Sequence, residues 1–169
     1  ASPFSWRTKL FLSRISSREG RPDEAIGLIK GILRYSEPRP SMAFVDLGRA
    51  YGALGWSARA RAAFERAAAA GPDNPVARLC LGEAYRLEGR FDEALREFEA
   101  VGRLRPDSGK GLLLAAGVFS ARGDHAAALD ALRRVIARHP GSVEALAAAA
   151  AAHAARGEDA EAERLFTEA

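Results

Sequence analysis

One spacing constrains this chain more than any other feature: Gly55, Gly89, Gly123 and Gly157 recur every 34 residues. Ala60, Ala94, Ala128 and Ala162 keep the same step, as do Pro72, Pro106 and Pro140. Bulkier residues follow in register, with Tyr51, Tyr85, Phe119 and His153 in one column and Phe64, Phe98, Leu132 and Phe166 in another. Leu47-Gly48 returns as Leu81-Gly82 and fades to Ala115-Ala116 and Ala149-Ala150. Self-similarity at such a period marks stacked repeats, in which no unit buries its apolar face alone.

Each column has a mechanical reading. The glycine closes a first helix by taking the left-handed backbone conformation without a Cβ penalty. Asp92, Asp124 and Asp159 fall where a second helix begins and are expected to cap its free amides. The alanine column predicts the crossing point of the two helices, with Gly48 and Gly82 facing it from the first helix. The aromatic columns fill the space between successive units, and the prolines stop each second helix. Composition agrees: Ala supplies much of the 48% hydrophobic share, which favours closely packed helices over sheets.

This pattern resembles the tetratricopeptide repeat family, most fully in Leu81-Gly82, Tyr85, Gly89, Ala94, Phe98 and Pro106. Units are expected at 41–74, 75–108, 109–142 and 143–169, the last truncated inside its second helix. A degenerate unit at 6–40 precedes them; Gly20, Ala25, Ile29 and Ile32 keep the spacing, while Ser13 and Ser16 replace the Gly and Tyr columns. One extra residue falls in the connector Pro38-Arg39-Pro40. The resemblance spans 1–169 as a single domain and implies an all-α fold, a right-handed superhelical solenoid of about five antiparallel helix pairs. The final helix, Ala160 to Ala169, is expected to expose Leu165 and Phe166. Either the natural chain continues past Ala169, or this end packs on a second copy to form a homo-oligomer.

For function the resemblance implies a protein-interaction scaffold or adaptor that holds a partner segment in a concave groove lined by the first helices. Carried over position by position, the groove takes Arg7, Leu10, Phe11, Arg14, Ser17 and Arg18 from the first unit, and Met42, Val45, Asp46 and Arg49, then the small Gly52 and Ala53, from the second. The third supplies Val76, Leu79, Cys80, Glu83, Arg86 and Leu87, the fourth Lys110, Leu113, Leu114, Gly117, Ser120 and Ala121, and the last Glu144, Ala147, Ala148, Ala151, Ala154 and Ala155. Its centre is apolar and its N-terminal end basic, which suits a peptide or helical segment with apolar anchors and an acidic end. The Lys and Asn clamp of chaperone-binding members is absent, since its positions hold Leu10, Arg14, Asp46, Leu79 and Glu83. Heat-shock chaperone tails are therefore not expected ligands. The alternative is a partner-recruiting segment of a larger enzyme or sensor. Richness in Ala, Arg and Gly is what a GC-rich bacterial genome produces.

Other function classes find little support. His125, His139 and His153 occupy three different columns, and none has a Cys or carboxylate at metal-ligand helical spacing, so no metal is expected. Cys80 is the one cysteine, with no neighbouring His to activate it, and no internal disulfide can form. The glycines are hairpin punctuation and not a phosphate loop; no cofactor and no enzymatic activity are expected. Acid pairs such as Asp92-Glu93 and Glu158-Asp159 sit at helix starts, where the helix dipole favours them.

Net charge is +3, concentrated at one end: residues 1–40 hold eight Lys and Arg against four acids, and the remainder is nearly balanced. A nucleic-acid partner is not expected from so uneven a distribution. No apolar run approaches the roughly 20 residues that cross a bilayer. The first residues show no signal-peptide pattern, although a removed signal would leave none, so the compartment stays open. Trp56 falls in an inter-helix turn, either as a partner contact or as a lid on its own hairpin.

Overall fold

A computed structural model describes residues 6–35 and 41–169, which leaves the Pro38-Arg39-Pro40 connector outside the described residues. The helices are α1 (Trp6–Arg18), α2 (Pro22–Tyr35), α3 (Ser41–Ala53), α4 (Ser57–Ala70), α5 (Pro75–Leu87) and α6 (Phe91–Leu104). A 3-10 turn (Pro106–Ser108) leads to α7 (Lys110–Ala121), α8 (His125–Arg138), α9 (Val143–Ala154) and α10 (Asp159–Glu168). No strand occurs among the described residues. The fold is all-α, and its helices come in pairs.

Every pair is closed by the same turn. Gly20, Gly55, Gly89, Gly123 and Gly157 have φ between 73° and 79°, the left-handed region where a side chain is strained. The amide after each glycine donates to the carbonyl five residues back, on Ser16, Tyr51, Tyr85, Phe119 and His153, at 2.8–3.0 Å. The glycine amide itself donates three residues back. These bonds satisfy carbonyls that a helix end leaves orphaned. Reversal within three residues makes the two helices of a pair antiparallel.

The chain forms two compact units, Ala1–Ala84 and Tyr85–Ala169, with the boundary inside α5. In the first, Leu10 of α1, Ala25, Ile26, Ile29 and Ile32 of α2, and Ala43, Leu47 and Ala50 of α3 form one core with Ala63 of α4. A Cβ on Gly48 would lie 2.3 Å from the Phe64 ring, so glycine is what admits that ring between α3 and α4. Asn74 ties three helices together. Its carbonyl oxygen accepts from the Val76 amide at 3.0 Å, which caps α5. Its amide donates to Ser41 Oγ at 2.9 Å, and the Ser41 hydroxyl donates to the Ala67 carbonyl at 2.7 Å near the end of α4.

In the second unit Phe98 and Ala94 of α6 pack on Ala115 and Val118 of α7. Leu129, Leu132 and Val135 of α8 pack with Leu146 and Ala149 of α9 and Leu165 of α10. Ala60, Ala94, Ala128 and Ala162 are all buried, as the alanine column requires. Pro72, Pro106 and Pro140 each follow the last residue of a second helix by two positions.

Two expectations are corrected. Of the three aspartates, only Asp124 caps a second helix, accepting from the Ala127 amide at 3.0 Å. Asp92 lies inside α6 and pairs with Arg122 at 2.9 Å, and Asp159 is already the first residue of α10. The cause is register: at Asp124's place the neighbouring repeats hold Trp56, Arg90 and Glu158, none of which makes a side-chain cap bond. Leu165 is not exposed either; it is 7% accessible in the α8–α9 core, whereas Phe166 is 55% accessible.

The glycines of α7 give a paired stability test. A Cβ on Gly111 would sit 2.5 Å from the Phe98 carbonyl oxygen and 2.6 Å from the Gly102 nitrogen, both rigid backbone. Gly111→Ala should destabilise the protein by about 1–3 kcal/mol in urea unfolding, by forcing α6 and α7 apart. Gly117, in the same helix, meets nothing within 4 Å. Gly117→Ala should instead stabilise by about 0.5–1 kcal/mol, through helix propensity alone.

Candidate functional site: a basic cleft on the first helices

In the unit of residues 1–84 the first helices of three successive pairs, α1, α3 and α5, line a cleft of about 450 Å³. Its walls are Arg14, Ser17 and Arg18 from α1, Met42, Asp46 and Arg49 from α3, and Val76 from α5. A volume of this size lies in the range of specific binding sites. Three guanidiniums face one carboxylate, and that carboxylate is already engaged: Arg14 Nε donates to Asp46 Oδ2 at 2.7 Å. Asp46 is 8% accessible at its side chain and Arg14 45%, so the pair pins Arg14 across α1 and α3 while leaving much of its guanidinium in water. Arg18, in the last turn of α1, is exposed.

Arg49 is exposed and reaches α5, where Nη2 donates to Cys80 Sγ at 3.8 Å. Burial pushes the Cys80 thiol above its ordinary range, and the Arg49 cation pulls against that without reversing it. Cys80 is therefore a half-buried thiol beside Arg49 and not an activated nucleophile.

The sequence-implied groove residues divide sharply. Arg14, Arg18, Arg49 and Val76 come together in this cleft. Leu79, Cys80 and Glu83 are half-buried on the same helix α5. Val45 is a correction: it is 0% accessible and presents nothing to a partner. The reason is that α3 is packed by α1, α2 and α4 together and is buried almost all round, from Ala43 to Gly48 and again at Ala50. In the second unit Arg86 is half-buried and Lys110 exposed. Leu113 and Leu114 are partly taken up by packing on the α8–α9 and α6–α7 cores respectively. An apolar strip counted from sequence is thus thinner in the structure.

The remaining candidates resolve into structural roles. His153 is buried, with Nδ1 hydrogen-bonded to Glu158. Among the described residues no three His, Cys, Asp or Glu side chains gather as a metal site. Trp56 is 42% accessible, with its ring 5.8 Å from that of Tyr51 and the Arg59 guanidinium 4.7 Å above it, so it covers its own hairpin on one side and faces solvent on the other.

A second cleft, in residues 85–169, lies outside the groove positions. It is lined by Arg103 and Arg105 at the end of α6 and by Arg134 and Arg138 of α8. The signal that finds it is a repeat comparison: these arginines stand where the neighbouring repeats carry Ala, Gly, Leu, His or Glu.

Comparison with known proteins agrees with this architecture. Two family models, both described as tetratricopeptide repeat, match residues 45–109 and 119–169. The chain belongs to the tetratricopeptide repeat family, whose members are helical protein-interaction scaffolds. No curated protein matches it by sequence. A MamA fragment from Desulfovibrio magneticus superimposes with TM-score 0.83 at 19% identity, over 99% of this chain and 94% of that one. A thermophilic TPR protein from Thermus thermophilus gives 0.72 at 22%, over 97% and 89%. A putative kinesin light chain from Podospora anserina, with TPR-like repeats, gives 0.80 at 21%, over 96% and 92%. At these identities the likeness establishes the fold alone.

The Cys80 environment makes a pH prediction. A raised thiol pKa means the reactive thiolate appears only at higher pH. The pH midpoint of Cys80 alkylation by iodoacetamide should lie above that of free cysteine. Arg49→Gln should move the midpoint further up, by removing the cation that favours the thiolate. A midpoint below that of free cysteine would contradict the assignment.

Proposed function

We propose that this chain is a scaffold that docks a segment of a partner protein on its first helices, with the partner's acidic end in the α1–α3–α5 cleft. The observation that carries this is the convergence of Arg14, Arg18 and Arg49 with Met42 and Val76 around one opening, with a single, already paired carboxylate. Arg18 and Arg49 offer planar donor forks that match carboxylates in bidentate fashion. Met42 and Val76 supply an adaptable apolar contact beside them, and half-buried Leu79 extends it along α5. Membership of a family of interaction scaffolds supports a protein segment as the occupant.

Selection of binders from a random peptide-display library tests this. Selected peptides should be enriched in an acidic end next to apolar residues. Their affinity should fall about tenfold or more for Arg18→Glu/Arg49→Glu, and also for Leu79→Glu. Peptides without acidic enrichment, or with affinity indifferent to both variants, would remove the cleft from consideration.

A further inference from the structure

Several arginines among the described residues have an acidic partner within 3 Å: Arg14 with Asp46, Arg61 with Glu65, Arg90 with Glu93, Arg122 with Asp92, Arg156 with Glu158 and Arg164 with Glu161. In the cleft between α6, the start of α7 and α8, arginines gather with little acid beside them. About 450 Å³ in volume, it is lined by Arg103, Arg105, Arg134 and Arg138, with Glu99 as the one acid. Glu99 approaches Arg103 only at 4.0 Å, with both side chains largely in water. Arg138 donates to the Pro106 carbonyl at 3.4 Å, and Arg105 and Arg134 form no ion pair among the described residues. Four guanidiniums thus face one volume with a local balance of +3. Such a gathering repels itself, and more strongly above an apolar floor, here Leu112 and Ala115.

The repeat does not ask for these cations. One repeat earlier the four positions hold Ala69, Gly71, Ala100 and Leu104. One repeat later, three of them hold Ala137, His139 and Glu168. Hairpin construction therefore leaves the cluster unexplained. Gly102 and Gly111, where the α6 and α7 backbones touch, add no side chain of their own to the floor. The arginines stand as two pairs, one at the end of α6 and the other one turn apart on α8. A compact ligand with several negative charges fits between them.

We infer that this cleft is a binding site for a ligand carrying linked phosphate groups, as a free inorganic polyphosphate or as a nucleoside triphosphate. Arginine forks match phosphate oxygens in bidentate fashion, and linked phosphates bring three or four charges into a small volume, as a run of carboxylate side chains does not. The site is separate from the first-helix cleft and stands or falls independently of it.

Calorimetric titration of the intact chain at low ionic strength tests the inference, with tripolyphosphate, ATP, orthophosphate and hexaglutamate as probes. Tripolyphosphate should bind saturably at one site and at least about tenfold more tightly than orthophosphate. Arg134→Gln/Arg138→Gln should weaken it by at least about tenfold, whereas Arg14→Gln/Arg49→Gln should leave it unchanged. Arg103→Gln/Arg105→Gln should reproduce the loss, which serves if loss of the Arg138–Pro106 bond loosens the fold. Equal affinity for ATP and tripolyphosphate assigns the site to the phosphates alone; tighter ATP assigns it to a nucleotide whose base lies on the apolar floor. Three results overturn the inference: no saturable binding, equal weakening by the Arg14/Arg49 variant, or hexaglutamate binding as tightly as tripolyphosphate.

Discussion

The structure rests on one backbone bond made five times. The amide that follows a left-handed glycine returns to the carbonyl five residues earlier, and the chain reverses within three residues. Because donor and acceptor are both main chain, the bond is indifferent to the side chain at its acceptor, which is Ser, Tyr, Tyr, Phe and His in turn. What it does demand is a residue that tolerates positive φ, and glycine supplies that each time. Close approach of the reversed helix then requires small residues at the crossing, met by the alanine column and, in the α3–α4 pair, by Gly48 against Phe64. Cores, clefts and charges are all placed by this turn.

That division explains what could be read from the sequence. Helix starts and stops follow glycine and proline, which act through the backbone and carry their geometry wherever they occur. Helix pairing and the alanine crossings were legible for the same reason. Side-chain functions were less so. Capping at Asp124 is not a property of its column, because Trp56, Arg90 and Glu158 occupy the same place and make no such bond. Periodicity shows that Val45 lies on a first helix; it does not show that neighbours on several sides of α3 enclose it. Leu165 is buried because α10 turns that position onto α8 and α9, while the next residue, Phe166, faces water.

The two arginine clefts differ in the same way. The first lies on positions that tetratricopeptide repeats assign to their groove, so Arg14, Arg18 and Arg49 could be grouped from sequence alone. Its basic character is tempered by Asp46, which is nearly buried and holds Arg14 in place. The second cleft draws on the end of α6 and the middle and end of α8, where family resemblance is silent. Departure from the adjacent repeats marks it: none of the four positions holds an arginine one repeat away.

The first pair of helices shows how far side chains can drift while the fold persists. Where the second pair sets Gly48 against the Phe64 ring, the same columns in the first hold Ser13 and Ile29, so volume moves from one helix to the other. The hydroxyls of Ser13 and Ser16 are buried, yet each donates to its own helix, at the carbonyls of Leu10 and Leu12. A polar group closed on its own backbone asks nothing of the helix across from it. Such a pair is invisible to consensus, and the family match begins only at residue 45. The extent of an array like this one is better measured by its backbone punctuation, Gly20 included, than by the side chains its members share.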